Sequence, residues 1–194
     1  MRSITVTMFV TLDGVVQGLG RLDEDTRNGF VHGGWGPRYN DEVMGRELGT
    51  GMAAAGDLLF GRRTWEDFGR VWGRATDGNP FSEHMNKATK YVVSRRLDDA
   101  DAWENSILLR GDAVATVAAL KAGPGGDLSI NGSAELVRAL HAAGLIDRYT
   151  VLIHPLTLGS GARLFDGPAP LTELELTGSV TTGKGVIIAH YSRR

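Results

Sequence analysis

One kind of junction, used three times, constrains this chain most: a short apolar run that breaks into a turn suited to an anion. Leu58-Leu59-Phe60 runs into Gly61-Arg62-Arg63-Thr64-Trp65, Tyr91-Val92-Val93 into Ser94-Arg95-Arg96, and Leu128-Ser129-Ile130 into Asn131-Gly132-Ser133. Buried strands separated by helical patterns specify an α/β fold. At the first junction a glycine lets backbone approach a ligand, Thr64 suits a helix N-cap, and two arginines precede a helix end that carries partial positive charge. That suits phosphate or pyrophosphate; the same residues also describe an ordinary strand-to-helix turn with two solvated arginines. At the second, a serine hydroxyl and two guanidinium groups can hold a phosphate monoester through paired, charge-assisted bonds, or lie exposed in a turn. At the third, Ser133 caps a helix with Leu136, Val137 and Leu140 inward, and the amides of Gly132, Ser133 and Ala134 offer a further anion site.

The remaining chain fits around these junctions. Residues 2–10 read as a strand entering a buried sheet, ended by Asp13-Gly14, either a plain turn or a group presented to a ligand at a strand's carboxyl end. Residues 15–39 are irregular, and a loop of that length inside a compact domain points to function or mobility. His32 and Trp35 could line a substrate pocket there or belong to a surface loop with one tucked aromatic. Asn40 or Asp41 caps a helix running to about Ala55, Ser82–Lys87 is a short helix, and Asp112 caps another closed by Gly123. Tyr149–Pro155 is a strand, and Leu171–Val180 and Gly185–Tyr191 form an antiparallel hairpin at the sheet edge.

Composition narrows the partners. The formal net charge is −2, so nothing suggests a nucleic-acid or polybasic membrane surface, and any anion site is built locally. There are no cysteines, which excludes disulfides, thiolate metal sites and a cysteine nucleophile and suits a reducing, cytoplasmic setting. His32 has no metal-ligand partner at useful spacing, so no metal is expected. The apolar N-terminal run is too short and too strand-like for a signal peptide, and no later stretch approaches a membrane span.

Together these residues resemble the dihydrofolate reductase superfamily over nearly the whole chain. Gly61-Arg62-Arg63-Thr64-Trp65 is similar to its Gly-Arg-x-Thr-Trp/Tyr motif, Val92-Val93-Ser94-Arg95 to its strand ending in Ser/Thr-Arg, and Gly132-Ser133 falls where the family has a Gly-Gly pair. The C-terminal run, from Leu145-Ile146-Asp147 through Pro155, Leu158-Gly159-Ser160-Gly161 and Leu164-Phe165, is similar to the reductase domain of the bifunctional riboflavin-biosynthesis deaminase–reductase. The resemblance implies one three-layer α/β domain over residues 1–194, with a mainly parallel sheet, a C-terminal antiparallel hairpin and helices on both faces. It further implies NADPH across the strand ends, with Gly61, Arg62, Arg63 and Thr64 at the pyrophosphate. Ser94, Arg95 and Arg96 would hold the 2′-phosphate, and Gly132 and Ser133 would face the pyrophosphate and nicotinamide. The activity implied is hydride transfer to a heterocyclic or ribosylated substrate, either a ribosylaminopyrimidine of riboflavin biosynthesis or a pterin; the alternative is an NADPH-binding module without turnover. Folate reductases carry an acid on the helix after the first long loop, where Asp41 and Glu42 stand, while the riboflavin branch places its Asp-Gly pair near substrate, which favours Asp13. Trp35, Gly159 and Gly161 are expected to line the substrate. The zinc deaminase half of the bifunctional enzyme is absent, since the chain has neither cysteine nor a His-x-Glu signature. The riboflavin branch commonly pairs into homodimers, which the apolar C-terminal strands would serve.

Overall fold

The computed structural model describes residues 1–194. Its centre is β1 (Ile4–Thr11), whose even-numbered residues Ile4, Val6, Met8 and Val10 are buried while Thr5, Thr7 and Phe9 on the other face are partly open. After the long loop, which holds two single 3-10 turns and a lone bridge from Val15 to Arg163, come α1 (Glu42–Ala53), β2 (Asp57–Gly61), α2 (Arg62–Trp72), α3 (Pro80–Lys87) and β3 (Lys90–Val93). β4 (Ser106–Leu109), α4 (Ala113–Ala122), β5 (Leu128–Asn131), α5 (Ala134–Ala142) and β6 (Arg148–His154) follow, and β7 (Leu174–Thr181) and β8 (Ile187–Arg193) close the chain.

The strands form one sheet in the order β4-β3-β2-β5-β1-β6-β8-β7. All pairs from β4 to β6 are parallel, and β8 and β7 add antiparallel at one edge. This is the mainly parallel, hairpin-ended sheet that the sequence suggests. The two faces are packed differently. Under α4 and α5 lies the largest core, where the even residues of β1 meet Leu59, Val117, Leu128, Ile130, Leu136, Val137 and Leu140. On the opposite face α2 and α3 close over Leu58 and Phe60 with Trp65, Met85 and Trp103. There α1 seals a smaller patch, its Met44 and Leu48 against Phe9, Leu152 and Ile188.

Several local expectations shift. α3 begins at Pro80 rather than Ser82, because Asn79 accepts from the Phe81 amide and Pro80 supplies a preset first turn. α1 ends at Ala53, two residues before Ala55. Thr64 does not cap α2: β2 passes straight into the helix, with Gly61 (φ −79°, ψ 152°) as the boundary and Thr64 already in the first turn. Asp112 and Asp41 do cap their helices, each accepting amide hydrogens from the first turn.

Candidate active site

β5 lies between β1 and β2 but pairs with β2 only through Asp57–Leu128 and Leu58–Ser129. Beyond those residues the two strands part, and a crevice opens at their carboxyl ends, where open α/β sheets take their ligands. Two of the anion-suited turns face each other across it. A Cβ on Gly61 would overlap the Ser133 hydroxyl and come within 3.2 Å of Ser133 Cβ, and a Cβ on Gly132 would lie 3.3 Å from Thr64 Cγ2. The N-termini of α2 and α5 therefore stand side by side, and each carries amides without a partner inside its helix. Gly132 has φ +92° and Ser133 φ +78°, a left-handed pair that glycine adopts freely and serine at a cost of about 1–2 kcal/mol. Ser133 makes no capping bond, so this strain secures the turn's shape rather than a cap.

The arginines of these turns are already engaged with carboxylates. Arg62 Nη1 holds both oxygens of Glu66 at 2.7 and 2.8 Å, and Arg63 and Arg27 converge on Glu135 Oε1 at 3.1 and 3.5 Å. Arg95 reaches Asp112 at 3.3 Å and the Gly111 carbonyl at 3.4 Å. Ser94 is buried, and its oxygen accepts the amides of Arg96 and Leu97, so its hydroxyl shapes the turn.

One continuous cleft of about 2280 Å³ joins these turns to the sheet face beside α1, larger than the ~300–1,000 Å³ of pockets for single small molecules. Gly61, Arg62, Arg63 and Thr64 line it, as do Ser94, Arg95, Arg96, Gly132, Ser133, Asp41 and Gly161. Asp13, Trp35, Glu42 and Gly159 are not part of the lining. Trp35 is buried, its indole N–H donating to the Gln17 carbonyl at 2.7 Å and its ring edge-on to His154, so it anchors the long loop and turns no face to a ligand. Asp13 ties down the loop after β6, accepting from Thr11 Oγ1 (2.6 Å), Gly159 N (2.8 Å) and Leu158 N. The Thr11 hydroxyl, followed by those amides, holds its carboxyl below the usual range despite burial. It is an ionised tether, unsuited to donating a proton. Asp41 has the same character: its carboxylate caps α1 through Met44 N, accepts Lys184 N at 3.1 Å, and is lowered mainly by the Met44 amide. Glu42 faces solvent. Gly161 (φ +108°) packs where a side chain would strike Phe30 and Val15.

The sheet floor of the cleft holds residues that local sequence reading missed. Strand register aligns Ser129, Thr5 and Arg148 in one row, and Asn131, Thr7, Thr150 and His190 in the next. All line the cleft, where the middle of a parallel sheet is ordinarily apolar on both faces. At the end of the second row His190 Nδ1 lies 3.0 Å from Thr150 Oγ1, and its Nε2 lies 3.9 Å from Glu47 Oε2 of α1. Alternation in Ile4-Thr5-Val6-Thr7 and in Arg148-Tyr149-Thr150-Val151 is the sequence signal that could have pointed here.

Residues 2–188 match the model of the RibD C-terminal domain. The chain belongs to that family. Among its relatives is the Bacillus subtilis protein YyaP, 28% identical over 193 residues covering 96% of this chain and 92% of YyaP. Two solved structures show the shared fold. A Shewanella sp. PV-4 protein bearing a riboflavin-biosynthesis name superposes with TM-score 0.72 at 19% identity, covering 99% of each chain. The Enterococcus faecalis dihydrofolate reductase, solved with NADP(H), gives TM-score 0.61 at 15% identity, covering 99% of this chain and 96% of that one. This RibD C-terminal domain chain thus has a dihydrofolate reductase-like fold. No helix is long and apolar enough to cross a membrane.

Proposed function

We propose that residues 1–194 act as one domain, an NADPH-dependent reductase that transfers hydride to a heterocyclic substrate of the ribosylaminopyrimidine or pterin kind. The observation that carries this reading is the contact between the Gly61 and Ser133 turns, which sets two helix N-termini and Arg62 and Arg63 around one space. A pyrophosphate fits that chemistry, since its charge meets amides and guanidinium groups, and the glycines let the two turns close on each other. Gly61, Arg62, Arg63, Thr64, Gly132 and Ser133 would hold the pyrophosphate, and Arg95 and Arg96 the 2′-phosphate. The cofactor supplies a hydride from C4 of its dihydronicotinamide when bound. The chain's own residues orient it, line the cleft with polar floor groups, and keep Asp13 and Asp41 for loop and helix tethering.

The test is a titration with NADPH and NADH, followed by fluorescence and melting temperature, on the native protein and Arg95→Ala. Ligand that binds only the folded state raises the melting temperature with concentration. Loss of a charge-assisted contact costs about 1.5–3 kcal/mol, so Arg95→Ala weakens NADPH roughly 10–150-fold and leaves NADH nearly unchanged. Equal losses for both would remove the 2′-phosphate role, and no binding of either would remove the reading. A second reading, an NADPH-binding module without turnover, is favoured by the engagement of Asp13 and Asp41 in structural bonds. It predicts binding with no oxidation of NADPH by any pterin or pyrimidine.

A further inference from the structure

With Asp13 and Asp41 committed elsewhere, the cleft still contains a titratable pair beside its polar floor. The register places Thr7, Thr150 and His190 in line across β1, β6 and β8, with Glu47 reaching down from α1. Both side chains of the pair are about one-third exposed, 37% for His190 and 36% for Glu47, so each is held by the fold yet open to the cleft. The Thr150 contact at Nδ1 fixes the ring plane and leaves Nε2 as the nitrogen facing Glu47 and the cleft. At 3.9 Å the Glu47 carboxylate is too far for a hydrogen bond but within ion-pair range of a protonated ring. An approaching acceptor therefore finds Nε2 without a committed hydrogen-bond partner.

We propose that the polar rows of this face seat the planar, hydrogen-bonding head of the substrate and that His190 Nε2 gives it the proton that accompanies reduction. The assignment rests on the reductase reading. The substrate's C=N or C=O carbon accepts the hydride that a dihydronicotinamide supplies. The π electrons move to the heteroatom, the Nε2–H bond breaks, and the proton forms the new N–H or O–H bond. Bulk water then reprotonates the imidazole, which the cleft leaves open to solvent. Glu47 faces the imidazolium with opposite charge, and Thr150 accepts from Nδ1–H, so both are positioning residues. Charged groups on the same side include Asp41 at the start of α1, Arg148, on β6 two residues from Thr150, and Glu175 of β7, opposite Ser192. The head group fits as a flat heterocycle with several nitrogen and oxygen atoms, because hydroxyls, an amide and an imidazole alternate along the floor where an apolar ligand would leave them unpaired.

The experiment has a binding arm and a kinetic arm. NADPH binding is first established by fluorescence; its absence removes the reductase reading and this proposal together. With NADP⁺ saturating, the imidazole ¹⁵N resonances of His190, assigned by loss in His190→Gln, are followed during titration with 7,8-dihydrofolate and with 5-amino-6-(5-phosphoribosylamino)uracil. At least one of these compounds is expected to shift the Nε2 resonance and, with NADPH in place of NADP⁺, to be reduced. With that compound His190→Gln should lower kcat at least 10²-fold and abolish the fall of kcat with rising pH, while leaving the NADPH Kd within twofold. Thr150→Val, which keeps the imidazole, should retain the pH limb with reduced kcat. NADP⁺ binding without binding of either heterocycle overturns the seat. Binding or turnover with an unmoved His190 resonance, or an intact pH limb in His190→Gln, overturns the proton role while the reductase reading stands.

Discussion

Substitution Gly61→Ala probes the contact between the two turns directly. Gly61 has φ −79° and ψ 152°, a conformation any residue adopts, so alanine adds no backbone strain. The whole effect comes from the new methyl, which would overlap Ser133 Oγ and approach Ser133 Cβ to 3.2 Å. The hydroxyl can rotate away, but Cβ is fixed by the backbone, so the cost falls in the lower part of the overpacking range, about 1–2 kcal/mol. For a domain of this size that lowers the melting temperature by roughly 2–8 °C. In a Ser133→Gly background both offending atoms are gone and the next neighbour, Leu136 Cβ at 3.8 Å, makes an ordinary contact. The double-mutant cycle, read by thermal or urea unfolding, should then give a coupling of about 1 kcal/mol or more. NADPH affinity, read by fluorescence, should fall in Gly61→Ala and recover in the double variant. An equal loss of stability in both backgrounds would refute the contact and the paired-turn geometry built on it.

Three further outcomes follow from charges and buried groups. Glu135→Gln removes the carboxylate that occupies Arg27 and Arg63 at the mouth of the cleft; exposed pairs are worth about 0.2–1 kcal/mol, so NADPH should bind up to about fivefold more tightly at low salt, with the gain fading at high salt. Asp13→Ala deletes the tether to Leu158 and Gly159 and should cost about 1–3 kcal/mol by urea unfolding at pH 7. Because Asp13 is lowered in the folded state, its stabilisation is full above its ordinary value of 3.8 and lost as pH falls through the folded value, so the gap to Asp13→Ala should narrow in acid. His154 is buried beside Phe9, Trp35 and Tyr39, and burial pushes it below its ordinary 6.5. The unfolded chain takes up its proton first as pH drops below 6.5, so melting temperature falls there, and His154→Phe should flatten that dependence.

Strand and helix existence was legible because each rests on near neighbours: the apolar runs, the Asp41 and Asp112 caps, the Gly123 stop. The three turns were legible for the same reason, since glycine, serine and arginine state their local chemistry. Thr64 misled because capping preference describes a residue outside a helix, whereas Gly61 carries the strand directly into α2. The acids misled more deeply. Asp13 binds amides at Leu158 and Gly159, and Asp41 binds one at Lys184, contacts between chain segments far apart in sequence that only the assembled sheet brings together. Trp35 shows the same limit, since an aromatic in a glycine-rich loop lines a pocket or plugs a core according to what lies beneath it, here His154. The polar rows needed register as well as alternation, because Thr7, Thr150 and His190 lie on three strands.

Those rows also act on how the sheet assembles. In a parallel sheet apolar on both faces, a strand shifted by one residue still presents aliphatic side chains to both layers, and little opposes the slip. β1 is not interchangeable in this way. Sliding it by one residue would turn Thr5 and Thr7 into the core beneath α4 and α5 and expose Ile4, Val6 and Met8 in the open cleft. The hydroxyls along the cleft therefore penalise misregistered pairing at the centre of the sheet, where β5 and β6 both take their alignment from β1.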